Sequence, residues 1–305
     1  MRSLIVLVLL PFSIGAQSYQ LFRSINIGAN WSPVGKGLPS TARIDALSFS
    51  GSSYFAATDR GIYLSTDQAN SWLQTYSGSR TISLMAFGKT IFAGTPQEGL
   101  LRSLDSGRNW QPIAQSQFRY VRSLAVLDGS IYAGTDTQGV FVSADNGNTW
   151  YAHSSGLPAL SQVFTMTVHR GSLYAGLYRK GLYKLDPQLK IWSKVGEVVP
   201  LALASTGEGL IAGHNPGGIH LLKEPNRNWT PAKLPYGPQL GNAPVWELAA
   251  SPRLTLAGVA AYIYRSLDQG NTWTPLEQGI PAGATGIAFL INDNVALTAA
   301  SIPLR

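Results

Sequence analysis

The sequence predicts an all-β fold, a seven-bladed β-propeller with four antiparallel strands per blade. Three observations predict it. A tryptophan recurs about every forty residues, each such tryptophan closes a related eight-residue turn, and a second hairpin precedes most of these turns. Together they describe a four-stranded unit of propeller-blade length, repeated around a ring.

The tryptophans come first. Trp31, Trp72, Trp110, Trp150, Trp192, Trp229 and Trp273 are separated by 41, 38, 40, 42, 37 and 44 residues, and Trp246 alone stands outside the series. The best octets are Ser103-Leu-Asp105-Ser-Gly107-Arg-Asn-Trp110, Ser143-Ala-Asp145-Asn-Gly147-Asn-Thr-Trp150 and Ser266-Leu-Asp268-Gln-Gly270-Asn-Thr-Trp273. The copy from Ser65 through Asp67 to Trp72 lacks only the glycine, and that from Ser24 to Trp31 has Asn26 for the aspartate. The copies ending at Trp192 and Trp229 keep little but Asp186 and the tryptophan.

Physically the octet is a hairpin. Serine and aspartate side chains take up turn N–H groups, glycine supplies a positive φ, and tryptophan buries a large ring beside the turn. Each aspartate therefore has a local backbone role, which argues against reading these carboxylates as catalytic. Asn30-Trp-Ser32 and Asn228-Trp-Thr230 match a glycosylation sequon but lie inside the repeat, which explains them better.

The second hairpin is clearest in Leu124-Ala-Val-Leu-Asp-Gly-Ser-Ile-Tyr-Ala-Gly-Thr135, with relatives starting at Ala46, Leu84, Met166, Ala202, Leu248 and Ile287. Each has an apolar alternating run, a turn of small polar residues, and a second run ending near Ala-Gly. The chain opens on a turn-motif hairpin (21–34) with no partner before it, and closes on an upstream hairpin (287–301) with none after it. Pairing these two into one blade closes the ring and removes loose sheet edges.

The octets resemble the Asp-box, or bacterial neuraminidase repeat, S-x-D-x-G-x-T-W. In repeat and blade number the chain is also similar to the photosystem II assembly factor family, and that resemblance implies a seven-bladed scaffold that binds a protein partner. The Asp-box equally invites comparison with sialidases and xyloglucanases. Sialidases carry an early Arg-Ile-Pro motif, for which Ser301-Ile302-Pro303 is the nearest string and lacks the arginine. They also typically have six blades, and the xyloglucanases typically two propellers.

Composition narrows the rest. Residues 1–16 read as a secretory signal followed by one domain, 17–305. Arg2 starts it, Leu4 to Leu10 is an unbroken apolar run too short to span a bilayer, and Gly15-Ala16 offers small residues for cleavage. The expected location is therefore secreted or periplasmic, with no transmembrane segment. The absence of cysteine removes disulfides, thiolate metal sites and a cysteine nucleophile. The net charge of +7 favours acidic partners. Its thin spread argues against nucleic acid, whose binders cluster their basic residues. The four histidines lack ligand spacing, so no metal and no cofactor are expected. His169 reads as a turn residue and His220 as a strand residue.

With strands named A to D outward through each blade, the Asp-boxes are C–D turns on one face. The B–C and D–A loops gather on the other, around the central channel. The B–C loops hold Asp59-Arg60, Gln97-Glu98, Asp136 to Gln138, Tyr178-Arg179-Lys180, His214-Asn215 and Tyr262. The D–A loops hold Arg43, Arg80, Phe118 to Arg122 and Tyr236, and Trp246 follows the long segment 235–244. Arg43, Arg60, Arg80, Arg119, Arg122, Tyr178, Arg179 and Trp246 are the candidate ligand-binding residues, suited to an acidic or sugar-like ligand. A glycosidase would need two carboxyls about 5–9.5 Å apart. Asp45, Asp59, Glu98, Asp136 and Glu247 are the available donors, and no pair stands out. The expectation is a monomeric, non-catalytic protein- or glycan-binding module, with a glycoside hydrolase as the alternative.

Overall fold

The structure is a computed structural model that describes residues 17–303, except 114–117, 215–217, 224–227, 233, 236–242 and 294. The expected secretory segment, 1–16, lies outside the described residues.

The chain begins with β1 (Gln17–Ser24) and β2 (Ser32–Val34). The first full blade is β3 (Ile44–Ser50), β4 (Ser53–Thr58), β5 (Gly61–Ser65) and β6 (Leu73–Tyr76). The second is β7 (Ser83–Phe87), β8 (Thr90–Gly94), β9 (Leu100–Ser103) and β10 (Gln111–Pro112). The third is β11 (Val121–Leu127), β12 (Ser130–Thr135), β13 (Val140–Ser143) and β14 (Tyr151–Ala152). The fourth is β15 (Val163–His169), β16 (Ser172–Leu177), β17 (Gly181–Asp186) and β18 (Ile191–Gly196). The fifth is β19 (Pro200–Ser205), β20 (Gly209–His214), β21 (Gly218–Lys223) and β22 (Trp229–Pro231). The sixth is β23 (Val245–Ala250), β24 (Thr255–Val259), β25 (Tyr262–Ser266) and β26 (Thr274–Pro275).

β27 (Thr285–Asn292) and β28 (Val295–Pro303) form the seventh blade with β1 and β2, in the order β2-β1-β28-β27. β1 pairs antiparallel with β28 from Gln17↔Pro303 to Ser24↔Ala296. The first strand of each blade packs on the first strands of its neighbours, and β27 packs on β3. Seven antiparallel four-stranded sheets therefore stand around a central channel.

Burial follows position in the blade. The second strands are almost wholly buried because neighbouring blades cover both faces, as in Thr90–Gly94. The outermost strands are short and exposed, as in Gln111–Pro112. The Ala-Gly ending of the second strand has a packing cause. A β-carbon on Gly134 would lie 2.6 Å from Val163 Cγ1 in the next blade. Gly94, Gly176, Gly213 and Gly258 meet the following blade in the same way. The channel wall is where the blades converge, and it leaves no room for a side chain there.

The octets form the third-to-fourth strand turns. In the second blade, Ser103 Oγ donates to Asp105 Oδ1 at 2.8 Å and accepts the Gly107 N–H at 2.8 Å. Asp105 also accepts the Asn109 N–H at 2.9 Å, and Trp110 Nε1 donates to the Gly107 carbonyl at 3.1 Å. The same serine-to-aspartate bond recurs at Ser65, Ser143 and Ser266. The indole-to-carbonyl bond recurs at Trp31, Trp72, Trp150 and Trp273. Gly107 has φ +83°, and a β-carbon there would strike the Phe55 ring of the preceding blade. Where the motif is eroded the bonding changes. Trp192 Nε1 donates instead to the His153 carbonyl of the preceding blade at 2.7 Å.

Two placements differ from expectation. His169 is the last residue of β15, buried and bonded to Ser205 Oγ at 2.9 Å, rather than a turn residue. Tyr262 opens β25 rather than standing in the loop before it. Both shifts reflect ladders that run one residue further than the turn chemistry implies.

Candidate functional site

A bulge recurs near the start of the innermost strands. The ladder skips Asp45, Arg122, Phe164, Leu201, Trp246 and Ile287. In the second blade the ladder starts at Ser83, and Ile82 holds the same place. A bulge re-aims the extra side chain. Here all seven of these residues line one cavity of about 420 Å³ at the mouth of the channel. A further cavity of about 210 Å³ continues inward, sharing Asp45, Ile82, Arg122, Phe164, Leu201 and Glu247.

Three of the candidate arginines converge there. Arg80 clamps Asp45 at two points, Nε to Oδ2 at 2.8 Å and Nη2 to Oδ1 at 2.9 Å. Arg43 Nε lies 2.8 Å from Asp45 Oδ1. The Asp45 side chain is only 7% exposed, while the arginines are 39% and 40% exposed. Asp45 thus acts as a buried counter-ion that holds two guanidiniums at the rim.

Arg122 is held from three sides. Its Nε donates to Asp136 Oδ1 at 2.5 Å. Its guanidinium carbon lies 4.6 Å from the Tyr120 ring centroid and 4.7 Å from that of Phe164. Rings and carboxylate fix the plane of the fork, and Arg122 lines both cavities. The stack continues outward: Tyr178 lies on Phe164 at 5.0 Å between centroids, and Arg179 lies 5.0 Å over Tyr178. Trp246 stands on the opposite wall, 37% exposed.

The remaining candidates go elsewhere. Arg60 donates to Thr41 Oγ1 at 2.9 Å, and Arg119 donates to the Gln97 carbonyl; neither lines the cavity. Tyr236 and Asn215 lie outside the described residues. His214 Nε2 and His220 Nδ1 are 2.6 Å apart, but among the described residues no group of three metal-ligating side chains forms.

Glu247 follows the Trp246 bulge and faces the channel in both cavities. Enclosure by protein pushes its carboxyl up to about 8, because the charged form loses hydration. The corresponding residues of the other blades are Ala46, Ser83, Ser123, Thr165, Ala202 and Ala288. Of the expected carboxyl donors, Glu98 lines neither cavity. It accepts Ser79 Oγ at 2.5 Å and the Tyr76 hydroxyl at 2.7 Å, and both bonds hold it below the usual carboxylate range.

Sequence reasoning missed Phe164, Ile82, Leu201 and Ile287. In the fourth blade the signal is positional: Phe164 stands two residues before Met166, the next core residue of its strand.

No protein-family model matches the chain, and no curated protein matches it. Solved structures do. YCF48 from Cyanidioschyzon merolae is 17% identical, with 86% of this chain and 96% of that chain covered and a TM-score of 0.65. The GH74 xyloglucanase from Xanthomonas campestris is 19% identical, with 92% and 52% covered and a TM-score of 0.66. The extracellular domain of BT4673 from B. thetaiotaomicron is 12% identical, with 92% and 39% covered and a TM-score of 0.72. The chain thus spans about half of the xyloglucanase and less of BT4673. Among the described residues no helix is long and apolar enough to cross a membrane. At these identities the likeness concerns architecture, and by architecture the chain is a seven-bladed β-propeller.

Proposed function

We propose that this chain is a secreted, non-catalytic binding or scaffolding propeller that captures a carboxylate-bearing protein or glycan ligand at the channel mouth. The observation that carries this reading is the fixed guanidinium fork of Arg122, flanked by Arg43 and Arg80 in one cavity. Pre-organised guanidiniums bind carboxylates at two points and lose little freedom in doing so. The extracellular setting of the BT4673 domain is in keeping with export.

A hydrolase reading draws on one observation: Asp45 and Glu247 line the same cavity, and a GH74 enzyme shares the fold. Against it, both Asp45 oxygens are engaged by guanidiniums. That leaves Glu247 as the one cavity carboxyl without a described partner, whereas glycosidases need two.

Calorimetry of the chain without residues 1–16 tests the proposal. The ligands are acidic peptides, their amide counterparts, and acidic and neutral oligosaccharides. Acidic ligands are expected to bind and Arg122→Ala to weaken them at least tenfold. Turnover of fluorogenic glycosides that is lost in Glu247→Gln would overturn the non-catalytic reading.

A further inference from the structure

The rim opposite the channel mouth carries a pattern of its own. In the octets of the seventh, second and sixth blades the second residue is Ile25, Leu104 or Leu267. Each lies between a buried serine and the Asn26, Asp105 or Asp268 side chain that this serine bonds, at 2.9, 2.8 and 2.8 Å. The N–H of Gly28, Gly107 or Gly270 returns to the same serine oxygen. With the serine held inward by both bonds, the second side chain is left outside the turn. The fourth blade has lost the octet, yet its turn between β17 and β18 presents Leu189. All four apolar side chains are 58–70% exposed.

The shared bonding gives Ile25, Leu104 and Leu267 equivalent positions in radially repeated blades, so their tips lie at one height on the rim. A single exposed leucine is ordinary, but four at the same turn of four blades form a crown spread around the ring. A protein partner concentrates its anchors in one contiguous centre, with a pocket for each. A bilayer surface is flat and laterally uniform, and takes apolar side chains at any spacing.

We propose that this rim is a peripheral docking surface for an anionic lipid bilayer, with Ile25, Leu104, Leu189 and Leu267 entering the boundary between headgroups and acyl chains. Charge agrees with that partner. The chain carries a net charge of +7, and anionic headgroups attract cations held close to them. Lys89, Arg108, Lys190 and Arg253 are exposed at the A–B and C–D turns of this rim, against Asp128 and Asp293. The octet carboxylates are drawn into their own turns, where Asp67, Asp105, Asp145 and Asp268 each accept a backbone N–H. The rim lies on the face away from the channel mouth, so its role is independent of what the mouth binds.

The test is sedimentation of residues 17–305 with vesicles of phosphatidylcholine alone, and of equal parts phosphatidylcholine and phosphatidylglycerol. Residues 1–16 are omitted because the apolar run Leu4 to Leu10 would bind lipid by itself. The chain is expected to pellet with the anionic vesicles, and less with the neutral ones or in high salt. Ile25→Ser combined with Leu104→Ser and Leu267→Ser is expected to weaken the partition at least tenfold. Leu160→Ser, at a residue 77% exposed in the loop between β14 and β15 on the mouth side, is expected to leave it unchanged. The chain has no cysteine, so Leu104→Cys and Leu160→Cys each take one environment-sensitive fluorophore. Only the label at Leu104→Cys is expected to shift to the blue on anionic vesicles. Partition to neither vesicle, equal partition of the triple variant and wild type, or a Leu104→Cys label that stays in water overturns the proposal. So does a dimer of the free chain that the triple variant loses, which makes a second copy the partner of this rim. Thermal unfolding of each variant distinguishes lost binding from lost fold.

Discussion

Asp136 accepts the Arg122 Nε–H at 2.5 Å while Arg122 lies between the rings of Tyr120 and Phe164. The carboxylate comes from a loop between β12 and β13, and the arginine from the bulge of β11 in the same blade. Blade geometry alone therefore sets the pair. Arg122→Lys keeps the charge but loses the planar fork and the ring stacking. It is expected to weaken an acidic ligand nearly as much as Arg122→Ala, by tenfold or more. Asp136→Asn should weaken binding less, because the rings still hold the guanidinium. Calorimetry of the three variants at one pH checks this ranking, and equal affinity of Arg122→Lys and wild type would contradict it.

The turn motifs predict a different phenotype, one of stability. Ser103 Oγ is buried and takes the buried Gly107 N–H at 2.8 Å. Ser103→Ala leaves that N–H bare, at a cost of about 1–3 kcal/mol. Bonds from Asn109 to Asp105, and from Ser71 to Asp67, bring these carboxyls down to about 2. Groups depressed in the folded state stabilise above their unfolded value, near 3.8, and lose that stabilisation as pH falls toward 2. Urea midpoints at pH 5, 3.5 and 2.5 should fall in that order, and less steeply in Asp105→Asn.

These two cases mark how much was legible beforehand. The octet's bonds span four residues, so Ser103, Asp105, Gly107 and Trp110 can be read from the string alone. Blade number follows by counting. Convergence is another matter, as Arg119 and Arg122 show. They are three residues apart, yet one turns to the Gln97 carbonyl and the other to the channel. Tyr120, with φ +57°, and the bulge at Arg122 make the difference, and neither is written in residue type. In the sequence Trp246 is read only as the residue following a long loop, whereas a strand bulge positions it. Glu247 looked like one carboxyl among several because its enclosure comes from other blades.

That enclosure has a measurable cost. The Glu247 carboxyl rises from 4.5 to about 8 on folding, and each pKa unit corresponds to about 1.4 kcal/mol. The folded state holds the proton that the unfolded state releases, so stability is highest below pH 4.5 on this account and declines as pH rises to about 8. The full loss is on the order of 5 kcal/mol. Glu247→Gln removes the titration. It is expected to be more stable than wild type at pH 8.5 and to differ much less at pH 5, as measured by chemical unfolding at both values. An identical pH dependence in the two proteins would place the buried proton elsewhere.

The seam between β1 and β28 governs resistance to unfolding from the ends. In the other six blades consecutive strands are joined by short turns, but here the two central strands come from distant parts of the chain. Their separation gives loop-closure entropy its largest leverage on this seam. The chain has no cysteine, so a single engineered pair reports cleanly. Ser18 and Ile302 are partners in the ladder, and both are only partly buried. Joining them as Ser18→Cys with Ile302→Cys closes a loop of nearly the whole chain. The chain-entropy account gives up to about 5 kcal/mol for such loops, less any strain in the folded state. The oxidised variant should melt several degrees above its own reduced form, while wild type should show no response to reductant. If oxidised and reduced forms melt together, the seam opens no earlier than the blades it joins, and unfolding begins in one of the hairpin-connected sheets.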